Sequence, residues 1–484
     1  MLSLKVSKYY FILVLSVFAL LGFVYGERYC YQTDKEPYLH FATKTAYEFV
    51  FQEKDPEEIP GCEPAQVWML ARHGTRNPSK DELGLLQELN PLRDEILRNH
   101  EARRNGELCY PDKENLKKWQ LKTGKTMAST LATQGKTDMA LLGSRMRMNF
   151  PSLFREGYRE DRYVFRHTQK ERTRESAEIF AKSIFGHDKV KPEGVKNDGL
   201  IKSYSNCTTW EELMDKKETF KEVELFEESV YMQSLIKNVS RRLGFKYNLT
   251  LEKIDAMYDM CRYDKSWNLN EISAWCACFS KEELQVLEYR QDLRYYIEAG
   301  YGNDINIKLG CPLVKDFVDK FRALNKDLEE NQSTTGEGNH QPRGIFYFTH
   351  SKALLMLLAR LGIRQDEQKL THEDYRAKGR DREWKTSLMT PFSANLVVVF
   401  YNCPRSPGGP QVMMYLQGRK VNYKGCRVGL CSWKELEQKL APIADTCDLS
   451  FCDPSASSAP DSVLSQKLVL LVTVLSALSA KFLR

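Results

Sequence analysis

Arg72, His73 and Arg76 stand within five residues of one another in the stretch VWMLARHGTRNPSK, residues 67–80. An apolar run drops there into two guanidinium groups placed around an imidazole. Guanidinium forks match phosphate oxygens in a planar, bidentate way. A histidine held between them can attack phosphorus as a nucleophile, dividing one hard hydrolysis into two easier displacements. Gly74 stands where backbone can approach a ligand closely. The plainer alternative is a structural histidine flanked by surface arginines.

A second histidine, His350, also follows an apolar run, IFYFT (345–349). That run, VWMLA (67–71) and NLVVVFY (395–401) read as buried strands bounded by turn residues. VMMYLQ (412–417) reads as a hairpin partner of the third, joined through NCPRSPGGP. Helical patterns lie between them at 176–186, near 211, at 281–300 and at 311–324. Strands separated by helices predict an α/β core with a largely parallel sheet. In such sheets ligands bind beyond the carboxyl ends of strands, so His73 and His350 are expected to converge on one pocket.

The expected organisation is a signal peptide (1–26), a first part of the α/β core (27–189), an inserted, mostly α-helical cap (190–300), a second part of the core (301–454) and a C-terminal tail (455–484). Residues 331–343 read as a polar linker. Lys5 and Lys8 precede an apolar stretch closed by Gly26, which is the layout of an export signal with a mature start near Glu27. Small residues 455–459, a polar spacer and the short apolar run 468–480 read as a GPI-attachment signal, a short membrane tail being the rival. Either places the chain in the secretory pathway, at the cell surface or outside it, with retention in the secretory lumen as the alternative.

Thirteen cysteines in an exported chain imply disulfides, with at least one thiol left over. Local candidates are Cys261 with Cys276 or Cys278, and Cys426 with Cys431. Cys276-Ala277-Cys278 lacks zinc-site spacing, and no metal is expected. Sequons at Asn206, Asn238, Asn248 and Asn331 agree with export, and three of them crowding into 206–250 mark that segment as surface. A net charge of +6 over 484 residues suits an anionic substrate, while no basic block or recognition module points to nucleic acid. No protein partner is legible.

Beyond these readings, RHGTRNP (72–78) resembles the signature of the histidine phosphatase superfamily, in its acid phosphatase and phytase branch. RHTQKERTRESAEIFAKSIFG (166–186) is similar to that branch's second phosphate-binding block. WCACF (275–279), YRQDLRYYIEAGYGNDINIKLGCPLVKD (289–316) and CSWKELEQKL (431–440) resemble the multiple inositol polyphosphate phosphatase subgroup. The resemblance implies a phosphoglycerate mutase-like α/β core with a helical cap and no cofactor. It implies His73 as nucleophile, Arg72, Arg76, Arg172 and His350 around the transferring phosphoryl group, and Lys80 near the substrate's other phosphates. It further implies a phosphomonoesterase acting on inositol polyphosphates of the phytate kind, with 2,3-bisphosphoglycerate admitted; the export signal read above makes it an exported one.

One departure stands out. The subgroup carries His-Ala-Glu after the second strand, the acid protonating the leaving oxygen, whereas this chain reads His350-Ser351-Lys352. A positioned general acid contributes about 10²–10⁴-fold. Lys352 is therefore either a substitute acid or a grip on substrate, and burial among arginines would favour loss of its proton. Asp366 and Glu367 are expected to lie away from the pocket. The rival expectation is a catalytically impaired polyanion-binding protein on the same fold.

Overall fold

Alternation along β1 (Glu63–Arg72) sends Val67, Met69 and Ala71 to one apolar cluster and Trp68 and Leu70 to another. Both faces of the strand are thus covered, which is why it reads as a continuous apolar run. The computed structural model describes residues 29–52, 59–186, 190–333, 341–379, 381–406, 408–426 and 429–453. The segments read as export signal and C-terminal tail lie outside the described residues, as does the side chain of Asn331.

The remaining strands are β2 (Tyr163–Thr168), β3 (Glu193–Val195), β4 (Gly344–Thr349), β5 (Asn395–Asn402), β6 (Gln411–Leu416), β7 (Arg419–Lys420) and β8 (Leu430–Ser432). Their order is β3-β2-β4-β1-β5-β6-β7, with β8 also on β6. The pairings β3-β2, β2-β4 and β4-β1 are parallel, whereas β1-β5 and every pairing beyond it are antiparallel. The expectation of a largely parallel sheet is therefore corrected to a mixed one, although the β5–β6 hairpin is as read. β2 escaped the sequence reading because Arg166 and His167 interrupt its apolar pattern.

Helices α1 (Lys80–Gln87), α2 (Thr133–Asn149), α3 (Glu171–Phe185), α4 (Leu251–Trp267), α5 (Lys281–Ala299), α6 (Cys311–Ser333), α7 (Ser351–Arg360) and α8 (Trp433–Asp445) surround the sheet. Met139 and Leu142 of α2, with Phe180 and Ile184 of α3, join Val67 and Phe346 on one face. Phe317 and Phe321 of α6, Leu354 of α7 and Leu436 of α8 join Trp68 and Tyr347 on the other. Asp316 of α6 accepts from Trp68 Nε1 at 2.8 Å and Tyr347 Oη at 3.0 Å, tying that helix to both β1 and β4.

The segment expected to form the cap begins with β3, an edge strand of the core sheet, and only then turns helical. Its helices are not surface alone. Trp210, Phe226 and Val239 are buried in the same apolar cluster as Trp68, while Asn206 and Asn248 are exposed and Asn238 is half-buried. Residues 331–333, read as linker, extend α6. Within α5, Asp292 accepts from Arg382 Nη2 and from Thr386 N at 3.0 Å, all three buried. Losing one partner of such a buried pair costs about 3–5 kcal/mol, so Asp292 holds residues 382–386 against α5.

Six disulfides close the chain: Cys30–Cys109, Cys62–Cys403, Cys207–Cys452, Cys261–Cys276, Cys311–Cys447 and Cys426–Cys431. Both local candidates form, and Cys278 is the buried free thiol that the odd count required.

Candidate active site

Three neighbouring parallel strands, β1, β4 and β2, end at Arg72, Thr349 and Thr168, and the site lies just beyond them. His73 leaves β1 with its backbone held on both sides: its N–H donates to Thr349 O at 3.0 Å and its carbonyl accepts from Ser393 N at 3.1 Å. Nδ1 lies 2.8 Å from Gly74 O, an acceptor only, so Nδ1 carries the proton and Nε2 keeps its lone pair. Burial, then Arg172 and Arg72, push the His73 pKa well below the usual histidine value. The ring is therefore neutral, buried and nucleophilic at one nitrogen.

Gly74 has another reason than the one expected. A Cβ there would meet Gly135 O at 2.5 Å, so the glycine allows the loop to pack on the start of α2 rather than on a ligand. Its N–H donates to Ser176 Oγ of α3 at 3.1 Å.

His350 follows β4 as the residue preceding α7, with its ring centroid 5.5 Å from that of His73. Its Nε2 is 3.0 Å from Thr168 Oγ1 and its Nδ1 3.5 Å from Arg172 Nη2. Burial, with Arg172 and Lys202 nearby, holds its pKa well below the usual value too. Arg172 lies in the first turn of α3, and Arg72 donates from Nη1 to Thr390 O at 2.8 Å and to Thr43 O. Among the described residues the Nε atoms of Arg72 and Arg172 are buried without a hydrogen-bond partner.

All four groups line one cavity of about 360 Å³ together with Arg76, Lys352 and Glu82. Lys44, Lys170, Lys202 and Arg262 add further cations, so among the described residues eight cationic side chains face a single carboxylate. Part of this charge is compensated. Glu82 pairs with Arg76 at 2.9 Å and Lys44 at 2.8 Å, Lys44 and Arg262 share Asp259, and Lys352 pairs with Glu298 at 2.5 Å. Among the described residues no carboxylate contacts Arg72, Arg172, Lys170 or Lys202. Burial, reinforced by neighbouring arginines, lowers the Arg72 and Arg172 guanidinium pKa values to about 9 and about 10. A dianion in the cavity would relieve that repulsion, and the N-termini of α3 and α7 favour it further.

The structure thus brings together His73, His350, Arg72, Arg76, Arg172 and Lys352, and leaves out Lys80. Lys80 is exposed at the first residue of α1 and does not line the cavity. Arg76 differs from Arg72 in being engaged already by Glu82 and by Tyr263 Oη at 2.9 Å. Lys352 is not buried among arginines as expected; its partner is a carboxylate. Asp366 lies elsewhere, accepting from Glu383 N and Trp384 N. Lys44, Lys202, Arg262 and Glu298 went unseen, because only the packing of distant segments brings them here. Glu82 did carry a signal: Ser79 and Glu82 form the capping box of α1, legible as Ser-x-x-Glu.

The depressed His73 pKa sets a pH dependence. Protonation removes the Nε2 lone pair, and in the folded protein that happens only well below pH 6.5. The acid limb of kcat/KM, which reports the free protein, is therefore expected well below the ordinary histidine value of about 6.5. A pH–rate profile with its acid limb at 6.5 or above would contradict this environment for His73.

The sequence profile of the histidine phosphatase superfamily (branch 2) matches residues 65–417. Multiple inositol polyphosphate phosphatase 1 of Drosophila melanogaster is 33% identical over 464 residues, covering 92% of this chain and 96% of that protein. Its Homo sapiens namesake is 28% identical over 444 residues, covering 85% and 88%. Among solved structures, the phytase from D. castellii superposes with a TM-score of 0.63 at 17% identity, covering 83% of this chain and 84% of that one. The Bifidobacterium longum multiple inositol polyphosphate phosphatase in complex with inositol hexasulfate gives 0.59 at 15% identity, covering 84% and 98%. These two likenesses concern the fold.

Proposed function

This chain belongs to the histidine phosphatase superfamily, branch 2, and is a phosphoric monoester hydrolase; on that premise we propose that it removes phosphate from inositol polyphosphates through a phosphohistidine at His73. The observation that carries the reading is a neutral histidine with Nε2 free, facing a cavity whose Arg72, Arg172, Lys170 and Lys202 lack carboxylate partners among the described residues. The names of the relatives supply the substrate class, and the surplus of cations suits a substrate with several phosphates.

In the first step Nε2 of His73 attacks phosphorus in line with the ester oxygen. Arg72 and Arg172 neutralise the charge spread over the non-bridging oxygens, Arg76 borders them, and His350 is held beside Arg172 by Thr168. In the second step water displaces His73 from phosphorus. The chemistry is positioning and charge stabilisation, where one well-placed donor is worth about 10²–10³-fold.

The proposal extends to 2,3-bisphosphoglycerate as a second substrate and to residence in the secretory pathway. Six disulfides suit an oxidising compartment. Glycans would sit at the exposed Asn206 and Asn248, with Asn238 and Asn331 as further sequons. Membrane attachment would be through residues 455–484. A second reading, a polyanion binder with little turnover, is favoured by Lys352 where an acid was expected.

Phosphate release from inositol hexakisphosphate and from 2,3-bisphosphoglycerate separates the two. Sustained turnover of the inositol ester is the expected result. Saturable binding without release would replace the enzyme by the binder, and neither binding nor release would end both readings.

A further inference from the structure

Lys352 stands two residues after His350 in the first turn of α7 and lines the same cavity. Its Nζ lies 2.5 Å from Glu298 Oε1 of α5, 5.1 Å from the ring centroid of Trp210 and 5.9 Å from that of Tyr204. A carboxylate and two aromatic faces, on three separate elements, thus hold one ammonium at the cavity wall. Simple electrostatic gripping of substrate would be better served by a cation without a carboxylate partner, as Lys170 and Lys202 are among the described residues.

The reaction proposed above leaves a proton unaccounted for. The alkoxide of a polyol is a poor leaving group and must be protonated as its bond to phosphorus breaks. Glu82, the one carboxylate lining the cavity among the described residues, is held far below the usual carboxylate range by Lys44 and Arg76, and carries no proton to give. His73 is consumed as nucleophile. His350 is kept neutral by its surroundings, and Arg72 and Arg172 are taken up by the non-bridging phosphoryl oxygens. Of the four lysines at the cavity, Lys44 is occupied by Glu82 and Asp259, and Lys170 and Lys202 have no carboxylate in contact to fix them.

We propose that Lys352 is the proton donor to the leaving oxygen and that Glu298 is the residue that positions it, an assignment that rests on the phosphatase reading. In the first step the His73 Nε2 lone pair forms the bond to phosphorus. The electron pair of the breaking P–O bond passes to the inositol oxygen, which takes a proton from Nζ and departs as the alcohol. Lys352 is then a neutral amine beside Glu298. In the second step that amine removes a proton from the attacking water as oxygen bonds to phosphorus and the P–N bond breaks. Phosphate leaves, His73 recovers its lone pair and Lys352 its charge, so no outside acid or base is needed.

The test compares inositol hexakisphosphate with p-nitrophenyl phosphate, whose leaving group departs without a proton. Lys352→Met is expected to lower kcat/KM, which reports only the first displacement, on the inositol ester by about 10²–10⁴-fold and on the nitrophenyl ester by less than about tenfold, the latter also showing that the variant folds. Lys352→Arg keeps the charge and the pairing with Glu298 but not a transferable proton, and is expected to fall with Lys352→Met. Lys352→Glu is expected to keep turnover on the inositol ester only at acid pH, its alkaline limb moving down to the carboxylic range. Equal losses of kcat/KM on both esters, recovery in Lys352→Arg, or an unchanged inositol kcat/KM in Lys352→Met would each overturn the assignment while leaving the phosphatase reading intact. Absence of turnover of either ester by the unaltered protein would remove both together.

Discussion

His73→Ala is expected to lower kcat on inositol hexakisphosphate by about 10⁴–10⁶-fold, the range seen when a covalent nucleophile is removed, with substrate binding retained. The Nδ1–H of His73 donates a hydrogen bond to Gly74 O, which leaves Nε2 with the only free lone pair of the ring nitrogens and points the chemistry at a single atom. The backbone on either side is fixed by Thr349 and Ser393, so the ring loses little freedom on reaching phosphorus. Alanine keeps the strand end and every arginine of the cavity. Binding, measured by calorimetry, should therefore survive or strengthen as turnover disappears. Loss of both together would mean that His73 supports the architecture instead of the reaction.

Arg172→Ala carries the second large effect, a fall in kcat/KM of about 10²–10³-fold on the same ester. Arg172 has no carboxylate in contact, unlike Arg76, whose charge is met by Glu82. Its guanidinium is already disfavoured by burial and by Arg76, so it gains more than an exposed arginine would from an arriving dianion. A second consequence distinguishes it from a merely structural residue. Arg172 is the leading charge that holds His73 neutral, after burial itself. Its removal lets the His73 pKa rise toward the ordinary value, so protonation begins at higher pH and the acid limb of kcat/KM moves upward. A loss of rate with an unmoved acid limb would argue that Arg172 does not face His73 in solution.

The sequence was most informative where one strand end carries both packing and chemistry. VWMLA and IFYFT are apolar because both faces of their strands are covered, and the polar residue that ends each run has to leave the sheet. His73 and His350 were legible for that reason, and their meeting followed from the parallel pairing of β1 and β4. Arg172 was legible through the block that contains it, although the strand leading to it, β2, was hidden by its polar residues Arg166 and His167. Gly74 was read for the wrong cause, since nothing local announces that Gly135 packs against it. Lys80 was placed near the substrate's other phosphates by the resemblance, but the start of α1 turns it to solvent.

What stayed illegible depends on helices from other parts of the chain. Lys44 precedes the first strand, Arg262 lies on α4 and Glu298 on α5, and each is an ordinary charged residue in its own segment. Only the continuous apolar cluster joining the helices of 208–299 to the sheet brings them to the ends of β1 and β4. The absence of an acid after His350 was plain in the sequence. That the replacing lysine would be held by a carboxylate from α5 was not, and that pairing is what turns a missing residue into an assignable one.

The most direct measurement is the covalent state of His73 during turnover. The protein is mixed with inositol hexakisphosphate, quenched in alkali to preserve phosphohistidine, and digested, and the peptide containing residue 73 is weighed by mass spectrometry. A phosphoryl group on His73 that builds up within the first turnover and disappears when substrate is exhausted is the expected result. Steady phosphate release with His73 unmodified throughout, or with the phosphoryl group on another residue, would contradict it.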